Sequence, residues 1–334
     1  MWCNRKTHEG RLGNIPPVET LNIRVPCSSS NLGPGFDLLG LALDLFLEVD
    51  AWSLADGGPH KLENSTGFAA TWPEAGNLLM AAFDAVFREA SLAPPAFGFR
   101  ANSHIPMARG LGSSGAAVAA GLLLAESELT QRRGQGLGIG ALHELGIELE
   151  GHPDNVTASL FGGCTLCLPA QSEEPGAHAT ALVHQGVSDE LGFAVAWGET
   201  TLPTARAREV LPTTVPFASA VENPRRLAML LEGLRTGDRA LLGIGAFDSL
   251  HHDARLALIP GGRETLAAAM EAAAFMTAIN GSGSSLLAVG AKSDTARLAA
   301  CLGETLRGFD SNVVAKPLEL VRGRPRVTRS TRQP

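Results

Sequence analysis

The sequence predicts a chain of mixed helix and strand, of the α/β or α+β class, in about two domains. Strand-type segments with alternating apolar and polar residues take turns along the chain with helix-type segments that are apolar on one face. Apolar residues make up 45% of the 334 residues and charged residues only 18%, which allows a sizeable core and excludes a disordered chain. The length indicates about two domains.

Each element follows from a local pattern. Strands are expected at 21–25 and 38–49, where apolar residues dominate or alternate with polar ones. Residues 77–90 have apolar side chains at helical spacing, and 113–128 form an Ala- and Leu-rich segment opened by serines, which favour a helix N-terminus. The same patterns predict strands at 97–104, 164–168, 193–197 and 285–289, and helices at 137–150, 224–235, 239–250, 263–275 and 294–306.

Charge and cysteine usage narrow the class of protein. The net charge of −7 argues against a general nucleic-acid binder. The longest apolar run, 115–125, is too short to span a membrane, and the polar N-terminus has no signal core. Five sparse cysteines indicate a reducing cytoplasm, and the lone CxxC of Cys164 and Cys167 indicates core residues on a strand, with a redox or metal site as the alternative.

The polar segment 169–178 is the predicted connection between domains. It divides the chain into an N-terminal domain, 1–172, and a C-terminal domain, 173–321. Residues 322–334 form a basic tail with five arginines, which we expect to be flexible and solvated, with an anion-binding arm as the alternative.

The segment GLGSSGAA at 110–117 runs from a glycine-rich loop into an Ala-rich helix. Such a loop brings backbone N–H groups close to an anion, and its serine hydroxyls suit phosphate or a hard metal ion. A plain tight turn is the alternative. The match to the dinucleotide pattern GxGxxG is weak, because Pro106 interrupts the segment just before the loop.

Three further segments concentrate polar side chains in turns. PCSSSNLGPGFD at 26–37 carries Asn31 and Asp37, and NGSGSS at 280–285 follows a predicted helix. EGHPDN at 150–155 places two carboxylates, an imidazole and an amide within six residues. A loop or a capping turn is the alternative for each segment.

Together, these four segments resemble the GHMP kinase superfamily, and the pair NLGPGFD and EGHPDN is similar to its homoserine branch. The resemblance covers about 21–317. It implies an α+β architecture with an N-terminal domain like ribosomal protein S5 domain 2 and a C-terminal ferredoxin-like domain. It also implies ATP-dependent phosphorylation of the side-chain hydroxyl of L-homoserine in threonine biosynthesis, with Mg²⁺. Two departures are Gly115, where the family has Ala, and Ser284, where it has Pro.

The resemblance also implies site residues at the nucleotide end. Ser114 and Glu150 would be the metal ligands, with Glu148 as a rival to Glu150. The third glycine-rich segment contributes Gly281, Ser282 and Gly283. The residues implied to contact ATP are Asn77, Pro106, Arg109, Gly110, Leu111, Gly112, Ser113 and Ser114.

Homoserine itself requires an anion for its ammonium group and arginines for its carboxylate. The resemblance implies Asp37 with its neighbour Asn31 for the ammonium group. For the carboxylate it implies Arg255 and Arg208, with Arg206 as a competitor of Arg208, and Thr204 one helical turn before Arg208.

His152 and Asn155 would orient the substrate hydroxyl. Asp154 is either a general base or a structural partner. The expected partners are ATP and homoserine and, since the family is often dimeric, a second copy of the chain. The alternatives are a GHMP kinase for another alcohol, a nicotinamide-dependent oxidoreductase, and a non-catalytic amino-acid-binding relative.

Overall fold

The computed structural model describes residues 18–55, 57–171 and 179–332. The strands in these ranges are β1 (Val18–Asn31), β2 (Gly35–Ser53), β3 (Lys61–Leu62), β4 (Thr66–Gly67), β5 (Phe97–Ser103), β6 (Cys164–Leu168), β7 (Ala181–Gln185), β8 (Leu191–Trp197), β9 (Met276–Ile279), β10 (Leu286–Ala291), β11 (Val314–Leu318) and β12 (Thr328–Arg332). The α-helices are α1 (Leu78–Glu89), α2 (Ser113–Arg133), α3 (Ile139–Glu150), α4 (Asp154–Phe161), α5 (Thr204–Glu209), α6 (Phe217–Thr236), α7 (Arg239–Gly245), α8 (His252–Leu256), α9 (Gly262–Glu271) and α10 (Thr295–Leu306).

The larger sheet is organised around the long hairpin of β1 and β2. In the described residues it has eight strands, with the path β12–β1–β2–β5–β3, β4 beside β5, and β6 and β7 continuing from β2. The pairing of β1 with β2 shifts register at Pro26/Cys27 and again at Ser30/Asn31. These irregularities bend the end of the hairpin, where the segment 26–37 lies.

Helices α1 to α4 cover this sheet, and α2 is buried along most of its length. Small residues permit this close packing. A Cβ atom on Gly115 would lie 3.1 Å from the backbone carbon of Asn155, so the glycine allows the first turn of α2 to approach the start of α4. Helix α2 nevertheless begins at Ser113, as the sequence pattern predicts.

The second sheet is antiparallel with the order β11–β8–β10–β9. Counted along the chain from β8, this order is 4-1-3-2, and α10 crosses from β10 to β11. A second cluster of buried apolar residues lies between this sheet and helices α9 and α10. The arrangement confirms the expected ferredoxin-like domain.

The basic tail differs from its prediction. Residues 328–332 are not a frayed end but strand β12, which pairs with β1 from Val18↔Arg332 to Asn22↔Thr328. The strand forms because β1 offers an unpaired edge, and a free edge is available only once the sheet exists. The predicted domain border at 172/173 lies in residues 172–178, outside the described residues, and stays a prediction.

Two other differences concern helices. The segment 239–250 is helical only to Gly245, and α6 begins seven residues before its predicted start and carries Pro224 inside it.

The CxxC cysteines are confirmed as core residues, since Cys164 and Cys167 are each 1% exposed. Burial raises the pKa of Cys164 to about 12, which keeps the thiol protonated. Among the described helices, none is both long and apolar enough to cross a membrane.

Candidate active site

A cavity of about 270 Å³ opens where the two halves of the molecule meet. The β1–β2 turn, the loop before α2, the start of α4 and helices α5 and α8 all reach it. Sixteen of the residues implied by the sequence line it, namely Asn31, Asp37, Asn77, Pro106, Gly110, Leu111, Gly112, Ser113, Ser114, His152, Asp154, Asn155, Thr204, Arg208, Arg255 and Ser282. Four segments that are distant in sequence therefore converge on one site.

The loop before α2 presents backbone rather than side chains to the cavity. Gly110 and Gly112 have φ angles of 72° and 65°, in the left-handed region that favours glycine. Gly112 is the N-cap of α2, and no side chain caps this helix end. The first-turn N–H groups and the positive end of the helix dipole are therefore available to an anion.

Ser114 and Glu150 form a pair of oxygen donors beside this loop. The Ser114 hydroxyl donates to Glu150 Oε2 at 3.3 Å. Burial raises the pKa of the Glu150 carboxyl above its usual range, although the Ser114 hydrogen bond opposes the shift. Glu148 is exposed on the same helix, Glu150 is half-buried, and neither carboxylate is among the residues that line the cavity.

Hard oxygen donors are the ligands that Mg²⁺ prefers, and Mg²⁺ keeps several waters or substrate phosphates as its other ligands. Ser114 and Glu150 fit this requirement as a pair. The described residues contain no group of three or more His, Cys, Asp or Glu side chains that could hold a metal ion by themselves.

At the start of α4, Asp154 holds its neighbours in place. The carboxylate is 2% exposed, and its Oδ1 accepts hydrogen bonds from His152 Nδ1 at 2.9 Å and from the backbone N–H of Asn155 at 2.8 Å. The hydrogen bond to Asp154 raises the pKa of His152. With Nδ1 bonded to Asp154, Nε2 is the nitrogen of His152 that remains for a ligand.

The side-chain amide of Asn155 is oriented from the opposite side by Ser28 of the segment 26–37. Ser28 Oγ donates to Asn155 Oδ1 at 2.9 Å, and the side-chain nitrogen of Asn155 lies 3.3 Å from Asp154 Oδ1. The N–H of Ser28 also donates to the Leu111 carbonyl at 3.2 Å. Ser28, which is fully buried, therefore ties α4 to the loop before α2.

At the other end of the cavity, Asp37 and Arg208 form a bidentate ion pair. Arg208 donates from Nη1 and Nη2 to the two carboxylate oxygens of Asp37 at 2.9 and 2.8 Å. This pairing raises the pKa of Arg208. Asn31 Oδ1 accepts from the N–H of Asp37 at 3.0 Å, which positions the carboxylate. The sequence analysis assigns Asp37 to the ammonium group and Arg208 to the carboxylate of the same ligand. In the structure these two residues form an ion pair with each other.

Arg255 is a buried cation whose hydrogen-bond acceptors, among the described residues, are backbone carbonyls. Its side chain is 1% exposed, and it donates from Nε to Ala207 O and from Nη1 to Gly281 O, both at 3.2 Å. Within the described part of the chain it makes no salt bridge. Burial lowers the pKa of Arg255, because it removes water from the charged form.

Arg109 is placed differently from its prediction as a nucleotide contact. Its guanidinium does not line the cavity but donates to the carbonyls of Met107, Gly198 and Glu199. Arg109 therefore joins the loop before α2 to the end of β8. The reason is tertiary, since Gly198 lies 89 residues further along the chain.

The third glycine-rich segment mainly supports the site. Gly281 and Gly283 are buried and do not line the cavity, whereas Ser282 does. The N–H of Gly281 donates to Ser30 O, and a Cβ atom on Gly110 would lie 2.0 Å from the carbonyl oxygen of Asn280. The segment 280–285 therefore contacts both the segment 26–37 and the loop before α2.

Asn77 is the N-cap of α1 and also lines the cavity. Its Oδ1 accepts from Leu79 N and its Nδ2 donates to Pro73 O, each at 3.0 Å. Sequence reasoning missed the neighbours Trp72, Pro73 and Met107, which line the same part of the cavity. The Trp-Pro dipeptide just before the capped helix was a signal that could have indicated them.

The fold and the site together define a small-molecule kinase of the GHMP class. The family described as the GHMP kinases N terminal domain matches residues 77–163. A crystal structure of homoserine kinase from Cytophaga hutchinsonii superposes with a TM-score of 0.80, at 23% identity, over 97% of this chain and 100% of that one. A mevalonate kinase crystal structure superposes with a TM-score of 0.63 at 13% identity, over 90% of this chain and 99% of that one.

Sequence relatives narrow the class. A homoserine kinase of Prochlorococcus marinus subsp. pastoris is 40% identical over 272 residues, which are 80% of this chain and 82% of the relative. A homoserine kinase of Synechococcus sp. (strain CC9605) is 40% identical over 271 residues, again 80% and 82%. The chain belongs to the homoserine kinase family.

Proposed function

We propose that this protein transfers the γ-phosphoryl group of ATP to the side-chain hydroxyl of L-homoserine, which yields O-phospho-L-homoserine for threonine biosynthesis. The observation that carries the proposal is Arg255, a fully buried guanidinium that donates to backbone carbonyls and, among the described residues, has no salt bridge, at a cavity that also holds the Asp37–Arg208 pair. A buried cation without an anionic partner is costly, and a substrate carboxylate would compensate it.

The ligand that suits this end of the cavity carries both charges. Asp37 would accept the ammonium group of homoserine, and Arg208 and Arg255 would bind its carboxylate as planar, multidentate donors. Because the Asp37–Arg208 pair already exists without ligand, a zwitterion adds one charge of each sign beside it. Mevalonate, which has a carboxylate but no ammonium group, would leave Asp37 without a new partner.

At the other end, the amides of the loop 110–114 and the N-terminus of α2 would bind the β- and γ-phosphates. Ser114 and Glu150 would hold Mg²⁺, and when bound the ion supplies positive charge that offsets the charge of the phosphates. This protein has only four lysines, and its loop carries none, so backbone amides replace the lysine of other phosphate-binding loops.

The chemical step would rely on positioning. Asn155, fixed by Ser28 and Asp154, and His152 would hold the substrate hydroxyl in line with the γ-phosphate. Phosphoryl transfer passes through a loose transition state and needs little base assistance. The Oδ1 atom of Asp154 already accepts three hydrogen bonds, which supports a structural role rather than that of a general base.

The test is ADP release with MgATP and a panel of acceptors: L-homoserine, L-threonine, L-serine, mevalonate and none. Release with L-homoserine alone is the expected result. Release with mevalonate would mean that the acceptor end is wrongly assigned. ATP binding without turnover of any acceptor would indicate a non-catalytic relative.

Two further proposals rest on the resemblance and on composition. A cytoplasmic location follows from five cysteines without a disulfide pattern. A homodimer follows from the frequency of dimers in the superfamily. The mass measured by light scattering at micromolar concentration would test the second.

A further inference from the structure

Phe36 lies beside the acceptor end of the cavity without lining it. Its ring centroid is 4.9 Å from the guanidinium carbon of Arg255 and 5.5 Å from that of Arg208. Both distances fall within the range of about 6 Å in which a cation is attracted to the face of an aromatic ring. One half-buried ring therefore contacts both of the arginines at this end.

The third neighbour of the ring is uncharged. The His251 ring centroid is 4.9 Å from that of Phe36, and His251 Nε2 donates to Gly33 O at 2.8 Å. Burial lowers the pKa of His251, so the imidazole is neutral near pH 7. The hydrogen bond joins α8, which follows His251, to the turn that carries Phe36.

An aromatic ring differs from a carboxylate in how it stabilises the charge of Arg255. A carboxylate beside Arg255 would compensate its charge but would also compete with a substrate carboxylate for the same N–H groups. An aromatic ring stabilises the cation through its quadrupole and takes up none of the N–H donors. The charge of Arg255 and its free donors thus remain available for a ligand.

We propose that Phe36 is a positioning residue that holds Arg208 and Arg255 ready for the carboxylate of an amino-acid substrate, and so sets the preference for acceptors that carry a carboxylate. This inference rests on the proposed function, because it deepens the role of the acceptor end. Phe36 acts through the two guanidinium groups and touches no reacting atom.

The decisive test replaces Phe36 with 4-fluoro-, 3,5-difluoro- and 3,4,5-trifluorophenylalanine. Each fluorine weakens the negative face of the ring and leaves its shape almost unchanged. The expected result is a stepwise rise of KM for L-homoserine, to about tenfold with three fluorines, while KM for ATP stays within about twofold. A purely structural ring would give the same KM for L-homoserine in all three proteins, and this would overturn the proposal.

Substitutions by natural amino acids complement the fluorinated series. Phe36→Leu should raise KM for L-homoserine by about tenfold or more, and Phe36→Tyr, which keeps the ring, should restore it. The matched control is Phe46→Leu, since Phe46 is also half-buried on β2 beneath an arginine, with Arg24 3.4 Å from its ring centroid. That variant should leave both KM values unchanged.

The Arg255→Met background shows whether the ring acts through the arginine. There, Phe36→Leu should add less than about a threefold loss, because the nearer of the two arginines at the ring is already gone. An undiminished loss in that background contradicts the proposal. Failure of the wild-type protein to turn over L-homoserine would instead contradict the proposed function, so the two failures are distinguishable.

Discussion

The two ends of the cavity are built in opposite ways. The phosphate-binding part of the nucleotide end comes from one continuous segment, 106–117, and offers backbone N–H groups and two serine hydroxyls, with no charged side chain in the segment's last eight residues. The acceptor end is assembled from the β1–β2 turn and from α5 and α8, which follow that turn by more than 150 residues, and its main groups are charged.

The difference reflects the ligands that each end would hold. Phosphates carry charge on many oxygens, so a helix N-terminus with several amides is sufficient, and such a loop can be encoded locally. A small zwitterion presents two opposite charges a few ångströms apart and needs an anion and cations at defined places. Only distant parts of the chain, brought together by the fold, supply that combination.

The largest expected effect is at the acceptor end. Arg255→Met should lower kcat/KM for L-homoserine by about 1,000-fold, because a desolvated charge pair contributes about 4 kcal/mol, and should change KM for ATP less than about threefold. Steady-state ADP release measures both values. The control is Arg206→Met on exposed α5, where Arg206 pairs with Glu209. Equal losses in the two variants would contradict the assignment of the acceptor end.

The next largest effect tests the backbone geometry of the nucleotide end. Gly110→Ala should lower kcat/KM for ATP by about 100-fold, because Cβ would lie 2.0 Å from Asn280 O at a φ of +72°. Gly134→Ala is the control, since Gly134 has a φ of +76° at the other end of α2 but open space around it. Both variants carry the strain of a positive φ angle, so a similar loss in both would show that the close approach is unimportant.

A smaller effect decides between the two candidate metal ligands. Glu150→Gln should raise the Mg²⁺ concentration for half-maximal activity by about tenfold, because an ionised oxygen ligand is replaced by a neutral one. Glu148→Gln, two residues earlier on α3 and exposed, should leave it unchanged. Titration of initial rates with MgCl₂ at fixed ATP gives both values. The reverse ranking would assign the ion to Glu148.

The smallest expected effect is on the free energy of unfolding and its dependence on pH. Burial lowers the pKa of His143 and of His251, so the folded protein protonates both imidazoles at a lower pH than the unfolded chain, which binds protons at them below about pH 6.5. The free energy of unfolding should therefore fall as the pH drops from 7.5 to 5.5, by up to about 1.4 kcal/mol per pH unit for each histidine.

Urea denaturation at the two pH values measures this loss. His143→Gln should make it smaller, even though the variant also loses the hydrogen bond from His143 to Thr157 at 2.7 Å. His104→Gln, at an exposed position, is the control and should leave the loss unchanged. An unchanged loss in His143→Gln would show that this imidazole has the same pKa in the folded and unfolded states.

Local sequence patterns predicted the secondary-structure elements and the polar segments better than they predicted tertiary contacts. The start of α2 at Ser113 was predictable because glycines before a serine-opened Ala-rich run favour a turn followed by a helix. The strand β12 was not, because five arginines in a short stretch favour solvent and the free edge of β1 is not visible in sequence. The hydrogen bonds of Arg109 to Gly198 and Glu199 were also not predictable, because these carbonyls lie about 90 residues further along the chain.

The sequence by itself determined the class of fold, the four polar segments and, through their resemblance to GHMP kinases, sixteen of the residues that line the cavity. These features depend on neighbouring residues, where spacing and residue type are sufficient. The tertiary structure alone decided the Asp37–Arg208 pair, the burial of Arg255 without an anion and the ring of Phe36 beside both arginines. The physical reason is that desolvation and charge pairing depend on every group within a few ångströms, and those groups come from distant parts of the chain.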